Sequence, residues 1–110
     1  MAFENLIKSA DVELCEGLSV YLVEPTLADS RVIAKLSGQH DEIDYGLLAS
    51  ACIIDRFEGA HAPTVDEWPP LSDESVLVRA RTLQTLPARL SNRIVLEVNR
   101  LLGLDSSDQD

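Results

Sequence analysis

The spacing of apolar and polar positions divides the chain into two regimes. Residues 12–15, Val-Glu-Leu-Cys, alternate with a period of two, and residues 18–23, Leu-Ser-Val-Tyr-Leu-Val, repeat the alternation. Between them stands Glu16-Gly17, and glycine supplies the positive φ that a tight hairpin turn demands. The pattern therefore predicts a hairpin with Val12, Leu14, Leu18, Val20 and Leu22 on its apolar face. A lone two-stranded ribbon is marginal in water, so it must lie on the rest of the chain or pair through a free edge. Ahead of it, residues 3–11 predict a short helical turn with Phe3, Leu6 and Ile7 on one side.

After the hairpin the period lengthens. Pro25 ends the second strand because it has no N–H for the ladder, and Thr26 followed by Asp29 makes a capping-box pair. The helix begun there carries Leu27, Val32, Ile33 and Leu36, with Gly38 as its stop. Residues 40–59 predict a second long helix, with Ile43, Leu47, Ala51 and Ile54 as its stripe and Leu48 and Cys52 widening it. Asp41, Glu42 and Asp44 fall in its first turn and Arg56 in its last, as the helix dipole favours. Residues 58–72 hold Pro63, Pro69 and Pro70 and form one long irregular segment. Ser72 then caps a helix striped by Val76, Leu77, Ala80 and Leu83. Pro87 opens a last helix with Leu90, Ile94, Val98, Leu101 and Leu102 on one face, closed by Gly103. The expected fold class is α+β, mainly α: an N-terminal β-hairpin followed by about four helices around one core. Residues 1–104 form a single domain, and 105–110 a disordered acidic tail.

Composition narrows the function classes. The 110 residues suit one domain, and aromatics at 5% leave the core to Val, Ile, Leu and Ala. No apolar run approaches the roughly 20 residues of a membrane span. Glu4 and Lys8 follow Met1 closely, so no signal peptide is expected, and Cys15 and Cys52 read as reduced thiols of a soluble intracellular protein. The net charge of −10 opposes a sequence-independent grip on nucleic acid. Its distribution is uneven. Residues 1–78 carry 15 acids and 4 bases, whereas residues 79–104 carry Arg79, Arg81, Arg89, Arg93 and Arg100 against one acid. That asymmetry suits head-to-tail self-association or a charged partner; the alternative is that the arginines only keep two helices soluble.

Reactive chemistry is sparse. His40 and His61 are 21 residues apart, without the clustered ligands a metal site needs, and phosphate-binding glycine patterns are absent. His61 lies near Asp66 and Glu67 but has no companion nucleophile motif. We expect no enzyme, no cofactor and no metal. Trp68 is the single tryptophan, in the irregular segment, where it either meets a partner or pins the loop to the body. Arg89, Arg93 and Arg100 form a second stripe on the last helix, with Glu97 as an i,i+4 partner of Arg93.

The order of these parts resembles the phage tail assembly chaperones. "VYLVEPTLADS" is similar to the corner where their strand leads into the first helix, with Val23 standing where arginine often precedes the glutamate. "FEGAHAPTVDEWPPLSDESV" resembles their loop, and "LPARLSNRIVLEVNRLLGL" their last helix, in which Asn99, Leu101, Gly103 and Leu104 match the closing motif. The likeness spans residues 12–104. It implies a non-enzymatic protein of the host bacterial cytoplasm that binds and solubilises the tape measure protein and aids tail tube assembly. It further implies an oligomer as several copies line the tape measure, contact with the major tail tube protein, and absence from the mature virion. The candidate partner contacts are Trp68, Leu71, Arg89, Arg93 and Arg100, and neither nucleic acid nor membrane is an expected partner. A head–tail joining or tail-completion protein and an acidic regulatory binding protein are the alternatives.

Overall fold

In a computed structural model that describes residues 6–103, the hairpin forms as β1 (Ser9–Cys15) and β2 (Leu18–Val23). Cross-strand partners run from Ser9 with Val23 to Glu13 with Ser19, and a bulge near Cys15 precedes the turn. Gly17 takes φ 84°, the left-handed region in which glycine carries no steric cost. The expected helical turn over residues 3–11 falls partly outside the described residues, and from Ser9 onward that stretch is strand.

The corner after β2 forms as the sequence indicates. Glu24 N–H extends the ladder by one bond to the Lys8 carbonyl (2.8 Å), and Pro25 then ends the pairing. Thr26 caps α1 (Leu27–Gln39) with a full capping box: Thr26 Oγ1 accepts from Asp29 N–H (3.3 Å), and an Asp29 carboxylate oxygen accepts from Thr26 N–H (3.0 Å). Ile33 and Leu36 are buried, whereas Leu27 is exposed. Gly38 lies within the helix rather than ending it; the chain leaves helical geometry at His40.

The second helix is half its expected length. α2 spans only Tyr45–Ile53, and the chain passes directly into a third strand, β3 (Ile54–Glu58). Asp41, Glu42 and Asp44 precede α2 rather than filling its first turn, and Arg56 belongs to the strand. β3 pairs antiparallel with β2, setting Leu22 opposite Ile54 and Val20 opposite Phe57, so the sheet order is β1-β2-β3. The reason is local register as much as propensity. In a strand, Ile54 and Phe57 join the inner face carrying Val20 and Leu22, with a bulge between them absorbing the odd residue. Gly59 ends β3 at φ 115°, where any Cβ would collide with the Gly17 carbonyl, and His61 N–H donates to that carbonyl (2.9 Å).

α2 packs against every other helix and against β3, which is why it is buried on all sides from Leu48 through Ile53 rather than amphipathic. Ser50 is tolerated in this position because its hydroxyl donates back to the Gly46 carbonyl (2.7 Å). α3 (Ser75–Thr85) buries Val76, Ala80 and Leu83, and α4 (Ala88–Leu101) buries Leu90, Ile94 and Val98 while also packing on β1. Ser72 exchanges bonds with Ser75 in both directions (2.7 and 3.1 Å) in the turn that leads into α3, rather than capping it: the helix opens at Ser75, after Glu74, so Asp73 and Glu74 precede it instead of filling its first turn. Gly103, at φ 74°, closes α4. One core, built on Leu22, Leu48, Ile53, Leu83 and Ile94, joins the sheet's inner face to all four helices. Each such side chain contributes about 1.5–3 kcal/mol by leaving water.

Candidate functional site

Termination of α2 without glycine or proline leaves its last carbonyls without helical partners. Arg79, on α3, supplies the donors. Its Nη1 donates to the carbonyls of Ala51 (3.1 Å) and Ile54 (2.8 Å), and its Nε to that of Pro69 (2.9 Å). The side chain is only 3% exposed, and its guanidinium lies 4.7 Å from the centre of the Trp68 ring. Burial lowers the guanidinium's proton affinity from its ordinary value, with Cys52 and Asp55 opposing that shift; an arginine nevertheless stays charged. No ion pair to Arg79 occurs among the described residues, so carbonyl dipoles, the end of α2 and an aromatic face solvate this charge.

Sequence reasoning counted Arg79 among the solvent-facing arginines. The signal against that was present: Arg79 lies three residues after Val76 and four before Leu83, on the apolar stripe of its own helix.

Arg79 also ties the irregular segment to α3 at Pro69 and Trp68, and other contacts fix the rest of it. Thr64 and Glu67 exchange capping-type bonds (2.9 and 3.3 Å), and Thr82 Oγ1 donates to the Glu67 carbonyl (2.7 Å). Trp68 packs edge-on against Phe57, with ring centres 4.9 Å apart, and Ser75 Oγ donates to the Pro70 carbonyl (2.8 Å). Trp68 is thus 9% exposed and holds the loop against β3 and α3, and its Nε1 has no hydrogen-bond partner among the described residues. Leu71, by contrast, is 44% exposed.

Leu71 sits beside two adjoining hollows. The larger, about 330 Å³, is lined by Val23 and Glu24 from the end of β2, Asp29 from α1, residues 52–55 at the α2–β3 junction, and Pro70, Leu71 and Arg79. The smaller, about 170 Å³, shares Asp29, Cys52 and Leu71 and adds Val32, Ser72, Asp73 and Val76. The lining mixes apolar and polar groups and includes four carboxylates, those of Glu24, Asp29, Asp55 and Asp73. Cys52, in this lining, has its thiol pushed up from 9.0 to about 11, first by burial and then by Asp29. It is therefore a poor nucleophile near neutral pH.

The arginine stripe is elsewhere. Arg89, Arg93 and Arg100 are exposed on α4, and no α4 residue lines either hollow. Glu97 bridges two of them, at 3.8 Å from Arg93 and 3.0 Å from Arg100. The five candidate contacts accordingly divide into Leu71 at the groove, Trp68 beneath the loop, and three cations on a separate helix. Among the described residues no group of three or more His, Cys, Asp or Glu side chains is placed to hold a metal ion, and no helix is long and apolar enough to cross a membrane. Compared with protein-family models, curated proteins and solved structures, the chain gives no match.

Proposed function

We propose that this chain is a tail assembly chaperone that binds and solubilises the tape measure protein of a long-tailed phage in the host cytoplasm, aids tail tube assembly, and acts without enzymatic chemistry. One observation carries the reading. The corner segment and the loop segment, which are two of the three stretches that resemble the chaperones, meet at the same groove. Val23, Glu24 and Asp29 come from the corner; Pro70, Leu71, Ser72, Asp73 and Val76 come from the loop. A chaperone must cover apolar surface reversibly, and a groove of mixed lining with exposed Leu71 beside it, in a body of net charge −10, suits that task, because the charge keeps the free protein dispersed.

The test is co-expression with the tape measure protein of the same virus, followed by affinity purification and light scattering. The expected result is a soluble complex formed only when both are present, containing several copies of this chain, and its absence from purified particles. A tape measure that stays insoluble, together with this chain in mature particles, refutes the reading in favour of a structural tail component.

A further inference from the structure

The groove differs in charge from what a generic apolar surface requires. Its apolar lining comes from Val32 and Leu71, the latter 44% exposed, with the nearly closed-off Cys52, Ile53, Ile54 and Val76 behind them. Four carboxylates accompany this lining, and they are held in different ways. Glu24 accepts from the Lys8 backbone N–H (3.2 Å), Asp29 from Thr26 N–H (3.0 Å), and Asp55 from the Arg56 guanidinium (2.8 Å). Asp73 is exposed and has no such partner among the described residues. The one cation in the wall, Arg79, is already engaged by three carbonyls and faces Trp68. Carboxylates thus stand around a groove of mixed polar and apolar lining, and each of its two hollows lies at or below the small end of ordinary ligand pockets, about 300 Å³, which suits single side chains better than a whole metabolite.

We infer that this groove takes an amphipathic polypeptide segment of one chemistry: apolar anchors seated in the two hollows, flanked by lysine or arginine that meets Asp73, Asp55 and Glu24. The inference deepens the chaperone reading and rests on it in taking the partner to be a polypeptide. Adjoining hollows suit two apolar side chains one helical turn apart, which a helix presents at i and i+4. Charge complementarity selects the cationic member among such segments and excludes an acidic one.

The probe is a capped helical peptide of leucine and lysine, with a leucine and glutamate peptide as its control, titrated into the full chain by calorimetry at about 0.15 M salt, where exposed charges more than roughly 8 Å apart are screened. The lysine peptide is expected to bind and the glutamate peptide not to. Leu71→Ser and Asp73→Lys should each weaken binding about tenfold, the loss of one anchor or one close charge contact. Both positions are exposed, and unchanged thermal melts will show that the variants fold. Glu13→Lys, the same charge change on an exposed position of β1, should weaken binding less than about threefold, because only screened long-range attraction is lost.

Equal losses in Asp73→Lys and Glu13→Lys would overturn the site by showing diffuse attraction to an acidic body. Self-association of the wild-type chain that Arg93→Glu abolishes, with no peptide binding, would assign the groove to a second copy and overturn the proposal. The two readings separate cleanly. Tape measure that co-purifies undiminished with Leu71→Ser and Asp73→Lys removes the groove and leaves the chaperone; peptide binding as expected with failed co-expression removes the chaperone and leaves the groove.

Discussion

Replacing Arg79 by methionine keeps an unbranched side chain out to about the position of Nε and removes the guanidinium. Three carbonyls then lose their donors, those of Ala51, Ile54 and Pro69, and the first two are bonded in fully buried geometry. A buried polar group left without a partner costs about 1–3 kcal/mol. The Trp68 ring also loses its stacked cation, a contact worth roughly 0.5–2 kcal/mol. Acting the other way, methionine carries no charge to desolvate, and that relief recovers part of the loss. The net expectation is a destabilisation of about 2–4 kcal/mol, a large part of the roughly 5–15 kcal/mol that holds a domain of this size together. With about 4–8 °C per kcal/mol, the melting temperature should fall by roughly 10–25 °C.

Urea unfolding followed by circular dichroism measures the loss, and Trp68 emission reports locally, since this sole tryptophan should shift to longer wavelength as the loop loosens. Arg81→Met, on the exposed side of the same helix, is the control and should stay within about 0.5 kcal/mol of wild type. Arg79→Lys should fall between the two, because an ammonium is a point charge that does not span the forked carbonyls. An Arg79→Met protein within about 1 kcal/mol of wild type, or no worse than Arg81→Met, would refute the argument that this side chain satisfies the carbonyls at the end of α2.

Three further outcomes are expected. Thr26→Ala removes the capping hydroxyl of α1 and should cost about 0.5–2 kcal/mol in chemical unfolding, with Thr26→Ser close to wild type. Gly59→Ala places a Cβ against the Gly17 carbonyl at φ 115°; it should cost at least about 1–3 kcal/mol and perturb the hairpin turn in NMR spectra, whereas Gly38→Ala, in open helical surroundings, should be neutral or stabilising. Cys52, raised from 9.0 to about 11, stays protonated in the fold after the unfolded chain has begun to ionise. The stability tied to that thiol is therefore intact below about pH 9 and lost as the pH climbs through 11, by roughly 2–3 kcal/mol in total. Cys52→Ser or Cys52→Ala should flatten unfolding free energy over that window, and a thiol reagent at pH 8 should modify half-buried Cys15 well before Cys52.

What the sequence determined by itself lies where the decisive contacts are near in the chain. The turn at Gly17, the corner at Pro25, the Thr26–Asp29 box and the amphipathic α4 with its Arg93–Glu97 pair each depend on residues within a few positions of one another. Period, caps and breakers read such features directly. The single long helix expected over residues 40–59 failed because Ile53-Ile54 satisfies either state locally. The choice rested on β2, more than 30 residues earlier, which offered Leu22 and Val20 as partners for Ile54 and Phe57. Once the helix stopped there, its carbonyls needed a donor from outside, and Arg79 became a buried structural residue instead of a surface charge. The groove is likewise tertiary: Leu71 was legible as a candidate, but the carboxylates around it come together only because the β2–α1 corner, the α2–β3 junction and the loop converge. Local sequence sets which elements are favourable. Long-range pairing, and the need to satisfy every buried carbonyl, decided where they end and what they enclose.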